Sequence, residues 1–587
     1  MAPQKFVCAN WDPGKPGCKE IGTHTCKNCR LVLYCGSDCQ KAHWKKHKID
    51  CRSPLTKDTW MPAWYLEGRW PTFTKEAQPD KRPVTFFLGN MPAIDILKLS
   101  DNEGADYQGK LSLLFAASGD PRNVFKTIAD IPETRTAPIS ITVNDKNPAI
   151  VARNIILFLI AMVVEDVDEA IDCIIHVWYS SFIRKSDLNI LQKKVKPQIQ
   201  MVCYMIDLQG PNPNSLVEKI WDFGSNSFKV VLQPSEWKDL LTYFDIPHNI
   251  TLDDILTARK TEMRYNIDRD DLGLTHMPVH ARVSVKGYLD SGIFLPFGSR
   301  REDFTIPNPT LVKDGDAWLM KDCARPANGW CTEDVFKTPC GGATSDTYGK
   351  LFYHIREVLG KCLRNMRRLE FNFHMMQANA EILTANLPRD SFCRIEVSNI
   401  VDTQFLGIYL TGGVMTPLLQ QPHDNPHATM VSLFMVAVRD TLTLPERRAI
   451  VEPGGQIHNL CRNYLLPAQT RPSPGTYYQE GTSNHPTTFL NSISCSILTN
   501  YDPVFDRFLR NSMVAEISQF IRLEGKNTHT IVPKWPCTVK LKTGEPGSVE
   551  ELHRRAAEGH WEARYMEWKR MEGAPDGEEE IDQDEEW

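Results

Sequence analysis

The chain has 587 residues, 42% of them hydrophobic and 24% charged, with a formal net charge of −6. That balance is ordinary for globular domains and carries no global electrostatic pull toward nucleic acid. The longest apolar run, Ile155 to Val164, is ten residues, against the roughly 18 needed to span a bilayer, so a soluble protein without a membrane partner is expected, folded as about two to four domains.

The first segment is dominated by cysteine. Seven of the chain's 17 cysteines lie within the first 51 residues, and the rest are scattered singly. The opening "MAPQKFVCAN" has no apolar run of the kind a secretory signal needs, so reduced thiols in a cytoplasmic or nuclear setting are expected, and clustered reduced thiols point to metal rather than disulfides. In chain order the candidate ligands are Cys8, Cys18, Cys26, Cys29, Cys35, Cys39, His47 and Cys51. Eight thiolate and imidazole donors suit two tetrahedral Zn2+ ions, and four protein ligands at each leave no open position for catalysis. Cys26 and Cys29 are spaced for a tight turn. The pairs Cys35/Cys39 and His47/Cys51 each lie four residues apart, on one face of a helix. About fifty residues bury too little apolar surface to fold alone, so metal is expected to supply the folding free energy, of order 10 kcal/mol per site. His43 and His24 stand near these ligands and are read as non-ligands. Residues 1 to 52 hold ten Lys and Arg against four Asp and Glu. No stacking aromatic series accompanies "KAHWKKHK", so a solvated helix face is expected and a nucleic-acid partner is not.

The spacing, with "YC" at Tyr34-Cys35, "CQ" at Cys39-Gln40, Trp44, "HK" at His47-Lys48 and the closing Cys51, resembles a MYND zinc finger. The resemblance implies interleaved sites, Cys8, Cys18, Cys35 and Cys39 holding one ion and Cys26, Cys29, His47 and Cys51 the other. It also implies recognition of a proline-rich peptide of a partner protein through Gln40 and Trp44. The sequence departs from the family between Cys8 and Cys18, where nine residues stand in place of the usual two.

Residues 53 to 83, rich in proline and tryptophan, read as a linker whose Trp60, Trp64 and Trp70 rest on the next domain. From residue 84 the pattern changes to strand, helix, strand, helix: "LSLLFAA" (111 to 117), "SGDPRNVFKTIAD", "PISITVND" (138 to 145) and "NPAIVARNIILFLIAMVVE". That succession predicts an α/β fold, a parallel sheet with helices on its faces. Helices are expected over about 167 to 205, interrupted near Lys185 and Lys196. Gly119 after the first strand and Asp145 at the end of the second occupy the places where nucleotide-binding sheets keep a phosphate turn and a ribose carboxylate. A single glycine in "ASGDPRN" does not encode a close cofactor cradle, so Asp120 reads as a helix-start acceptor and Asp145 as a turn residue.

"FFLGNMPAIDIL" (86 to 97), "NEG" (102 to 104), "LLFAASGDPRNVFKTI" (113 to 128), "FCRIEVSNIVDTQFLG" (392 to 407) and "PLLQQPHDNPHATMVSLFM" (417 to 435) resemble the dynein axonemal assembly factor family, which also occurs fused to MYND fingers in uncharacterised fungal proteins. That resemblance implies a degenerate Rossmann, methyltransferase-like sheet without catalytic residues to carry over. Residues 84 to 209 would be its N-terminal part and 391 to 547 its C-terminal part, with 210 to 390 a large insertion or subdomain. A helical run is expected from about Gly349 to Thr384. Residues 548 to 571 read as one amphipathic helix, opened by Ser548 and Glu551 at capping-box spacing and carrying Trp561, Tyr565 and Trp568 near one face. Residues 572 to 587 read as an acidic disordered tail.

The reading is a zinc-binding protein-interaction factor, an adaptor, scaffold or regulator that recruits partners through its finger. The alternative is an S-adenosylmethionine-dependent methyltransferase working through Gly119 and Asp145.

Overall fold

In the computed structural model the described residues are 6 to 572, apart from 13, 15, 75 to 84, 211 to 214, 314, 317, 322, 323 and 466 to 483. All of the expected tail beyond Glu572 therefore lies outside the described residues, as does the last part of the expected linker. The chain opens with a hairpin, β1 (His24–Thr25) and β2 (Leu33–Tyr34), followed by a finger helix over Ser37–Cys51. The linker segment packs as expected at two of its three tryptophans. Trp64 is fully buried and Trp60 rests on the main core beside the Arg282 guanidinium, whereas Trp70 stays half exposed, edge-on to Phe489.

The body is α/β. Its strands are β3 (Leu111–Phe115), β4 (Ile139–Asp145), β5 (Phe182–Ile183), β6 (Val217–Phe223), β7 (Asn226–Leu232), β8 (Ile306–Pro307), β9 (Phe371–Gln377), β10 (Arg394–Glu396), β11 (Thr429–Phe434), β12 (Leu523–Gly525) and β13 (Arg564–Arg570). Nine of them form one sheet in the order β12-β13-β11-β10-β3-β4-β9-β7-β6, while β5 and β8 pair separately. The six strands from β11 to β7 run parallel; β6 is added antiparallel at one edge, and on the other side β13 runs antiparallel between β11 and the edge strand β12. On one face Leu113, Phe115, Ile141, Val143 and Phe373 meet the helices Arg122–Ala129, Pro148–Val163, Val167–Tyr179 and Thr347–Arg368 in the larger core. On the other face Leu114, Ile395, Met430 and Trp568 meet helices of the C-terminal part. The run expected to be a buried helix is one: Ile155 to Ile160 are all within 1% of full burial. No described helix is long and apolar enough to cross a membrane.

Three expectations are corrected. Residues 210 to 390 are not a separate subdomain, because β6, β7 and β9 from that segment extend the main sheet, with β9 directly beside β4. The helical run expected to reach Thr384 ends at Arg368, and β9 follows: Phe371, Phe373 and Met375 alternate with Asn372 and His374, a period-2 pattern that buries one face. The C-terminal helix spans only Ser548–Glu558. Gly559 (φ 72°) breaks it, and Tyr565 and Trp568 lie on β13, inserted between β11 and β12. Glu551 does not close a capping box; its carboxylate accepts the amides of Lys540 and Leu541 at 3.0 and 2.8 Å.

Candidate metal centre

The hairpin, the turn before it and the finger helix bring all eight expected ligands into two groups. Cys8, Cys18, Cys35 and Cys39 form one, Cys26, Cys29, His47 and Cys51 the other, with the donor atoms of each group all within 4.8 Å of one another. Sulfur–sulfur separations of 3.8 Å for Cys18/Cys35 and for Cys26/Cys51 match the edge of about 3.8 Å that a tetrahedron of Zn–S bonds demands. The described cysteines are free thiols. The sites interleave, since each takes one pair from the N-terminal part of the segment and one pair from the region of the finger helix, so that either ion ties the helix to the hairpin.

The chemistry of the donors fits a dication. Burial pushes the Cys29 thiol far up, and the neighbouring thiols Cys26 and Cys51 push it further, so this crowd of sulfurs cannot all ionise without a cation among them. Burial also holds the His47 imidazole down at about 4, leaving it neutral at physiological pH, the form that binds metal. The amide side chain of Asn28 donates to Cys51 Sγ at 3.2 Å and that of Asn10 to Cys39 Sγ at 3.3 Å, while Leu31 N–H points at Cys29 Sγ at 3.5 Å. Such donors orient and stabilise ligating thiolates. Sequence reading missed both asparagines. Asn28 was legible in principle, sitting inside the Cys26-x-x-Cys29 turn; Asn10 lies in the nine-residue excursion, for which there was no template. His43 is buried and shares a hydrogen bond between Nδ1 and the Tyr34 hydroxyl at 3.0 Å, and His24 pairs with Thr23 Oγ1 at the surface.

The excursion between Cys8 and Cys18 docks the finger. Trp11 Nε1 donates to Gly298 O at 3.1 Å, Lys46 Nζ sits 3.2 Å from the Trp11 ring centroid, and Gly14 N–H meets Glu302. Phe6 stacks edge-on against Tyr353, and Ser345 N–H donates to Arg30 O at 3.0 Å. A buried carboxylate, Asp346, fixes the seat by accepting from Ser284 Oγ, Phe297 N and Gly349 N at 2.6 to 2.8 Å. Gln40 is half-buried and Trp44, one turn on, is exposed, its ring edge-on to His47 and near Arg52.

The structure does bring Gly119 and Asp145 together, at the carboxyl ends of β3 and β4, but they serve each other. Gly119, at φ 54°, donates its N–H to Asp145 Oδ2 at 2.9 Å, and Asn147 N–H donates to Asp145 Oδ1 at 2.9 Å. Asp145 thus acts as the turn residue expected, binding its own loops, and is not left free for the ribose of the alternative reading. Asp120, by contrast, is not the helix-start acceptor expected: it accepts from Gly89 N at 2.9 Å and pairs at 2.6 Å with Arg122, whose Nε reaches Met91 O. This buried pair lies beside β3, where the sheet order reverses between β4 and β10, the crevice in which open α/β sheets bind ligands. Nothing in this arrangement supports a methyltransferase.

The MYND finger family matches residues 16 to 51, and a domain of unknown function, DUF4470, matches residues 87 to 183, from the segment before β3 through β5. Cys8 lies outside the first match. No curated protein and no solved structure matches the chain. With its two zinc-binding clusters assembled, the chain carries a MYND zinc finger seated on an α/β body that contains a DUF4470 domain.

Proposed function

We propose that this protein is a zinc-dependent adaptor whose finger presents the Gln40 and Trp44 face to a proline-rich peptide of a partner protein, with the α/β body as scaffold. The observation that carries the reading is the orientation of the finger. Its N-terminal excursion, hairpin and Arg30 face the body, while Trp44 remains 36% exposed on the helix. A rigid aromatic held by a metal-braced helix is suited to a preformed extended ligand, because little conformational entropy is lost on either side. A cytoplasmic or nuclear location accords with reduced zinc thiols.

Binding of fluorescent proline-rich peptides to the intact protein tests this. Gln40→Ala and Trp44→Ala should each weaken binding about ten-fold or more while leaving the zinc content unchanged. Affinity that survives both substitutions rules out this face.

A further inference from the structure

Lys41, Lys45 and Lys48 of the finger helix, with Arg52 just past its last residue, are all exposed. Intervals of four, three and four residues set them in one row along the helix, and Trp44, three residues after Lys41 and four before Lys48, borders that row. The Arg52 guanidinium lies 5.6 Å from the Trp44 ring centroid, so the row and the aromatic form one surface. Lys27 adds an exposed cation at the same end, where its neighbour Asn28 donates to Cys51 O at 3.1 Å. The helix has two carboxylates. Asp38 sits in the first turn beside Ser37, and Asp50 is turned toward Lys46 and Arg301. Among the described residues none of the four cations in the row has a carboxylate partner. Like charges three and four residues apart destabilise a helix. The negative end of the helix dipole offsets this for Lys48 and Arg52 but not for Lys41 and Lys45, which lie before the last turn. Nothing within the described chain repays the row.

We infer that the partner's peptide is acidic beside its proline-rich core, with its carboxylates on Lys41, Lys45, Lys48 and Arg52 while the core lies on Trp44; this rests on the finger reading above. The lengths agree. From Lys41 to Arg52 the row spans about 16 Å at 1.5 Å per residue, and an extended peptide advancing about 3.1 Å per residue covers it with about five residues. Charge selects a short acidic segment over a nucleic acid. Residues 1 to 52 hold ten Lys and Arg against four Asp and Glu, whereas the whole chain carries −6. A long polyanion meets that unfavourable total, but a peptide lying on the finger meets only the charges within a Debye length of about 8 Å. Trp44 is also a single aromatic, not the series on which successive bases stack. Complementary charge of this kind adds specificity and speeds encounter, while the aromatic supplies the anchor.

Fluorescence anisotropy with the intact, zinc-loaded protein tests this. The tightest-binding of the proline-rich peptides above is extended, at either end, by about five glutamates or as many serines. The glutamate form should bind at least about ten-fold more tightly than the serine form at about 0.1 M salt, and by less than about two-fold at about 1 M, where screening is nearly complete. Lys45→Glu combined with Lys48→Glu should abolish the preference. Because both positions are exposed, thermal unfolding and zinc content should match the parent's, which separates loss of the contact from loss of the fold. Equal affinity for the two forms, or a preference that survives the paired substitution, overturns the inference and leaves the finger reading standing. Binding of neither form overturns both. A preference that appears only when the chain is ended at residue 572 assigns the row to the chain's own acidic residues 573 to 587, and that too overturns an acidic partner.

Discussion

Cys8 is the residue on which the two-ion reading is most exposed, since it alone among the eight ligands precedes the segment that the MYND family matches. Its place is made by backbone pairing: Cys8 N–H donates to Glu20 O at 3.0 Å and Ala9 N–H to Leu33 O at 2.8 Å, which carries the thiol back to Cys18, Cys35 and Cys39. Cys8→Ser should therefore lower bound zinc from two ions to about one per chain by elemental analysis, with partial loss of order in the finger; full retention of both ions would remove Cys8 from the ligand set. A second residue makes a pH prediction. Burial raises the Glu396 carboxyl from 4.5 to about 7, against the pull of Arg122 and the hydrogen bond from Ser398 N–H. Between those values the folded chain binds a proton that the unfolded chain has released, so stability falls as pH rises through this window, by about 3 kcal/mol in total. Glu396→Gln keeps the acceptor for Ser398 and removes the charge. Its urea midpoint should exceed the parent's at pH 8 and match it near pH 4, and a parent-like slope in the variant would refute the assignment.

At the scale of elements, the finger is held in two ways, by metal within and by docking without. Chelation should release the order of residues 6 to 52, seen as fast amide exchange, while β3, β4 and the helices upon them stay protected, because the main core contains no finger ligand. Uniform protection before and after chelation would contradict a metal-dependent finger. Trp11→Ala removes the hydrogen bond to Gly298 and the contact with Lys46, together worth about 2 kcal/mol. Exchange in residues 9 to 17 and 296 to 302 should rise with zinc content unchanged. The linker gained its order from neighbours rather than from its own pattern: Trp64 Nε1 donates to Asn484 O, and the two Arg69 terminal nitrogens reach Asp268 at 2.6 and 2.8 Å. These partners lie some hundreds of positions away in the chain, and no local periodicity announces them.

Over the whole molecule, the sheet is assembled from segments far apart in sequence, and its C-terminal strand is internal rather than peripheral. β13 runs antiparallel between β11 and β12, and the Glu567 carboxylate beneath it accepts from Thr530, Ile531 and Val532 N–H at 2.7 to 3.0 Å. A chain ending at residue 559 should lose cooperative unfolding of the body, whereas one ending at residue 572 should melt like the parent. Equal melts would mean that β13 adds nothing to the core.

The sequence by itself determined whatever depends on local spacing: the eight metal ligands, the alternation of β3 and β4 with their helices, and the buried helix Pro148–Val163. Thiolate spacing is dictated by the ion, and a run such as "IILFLIAMVV" has no stable place except a core, so both speak without neighbours. The tertiary structure alone decided that Asp145 ties down Gly119, that Asp120 serves Gly89 and Arg122, that the central segment supplies three strands to one sheet, and that Tyr565 and Trp568 leave the helix for β13. In each case a carboxylate or an amphipathic stretch has several partners of similar local merit. Which one it takes is set by long-range pairing, whose free energy is realised only once the sheet has closed around it.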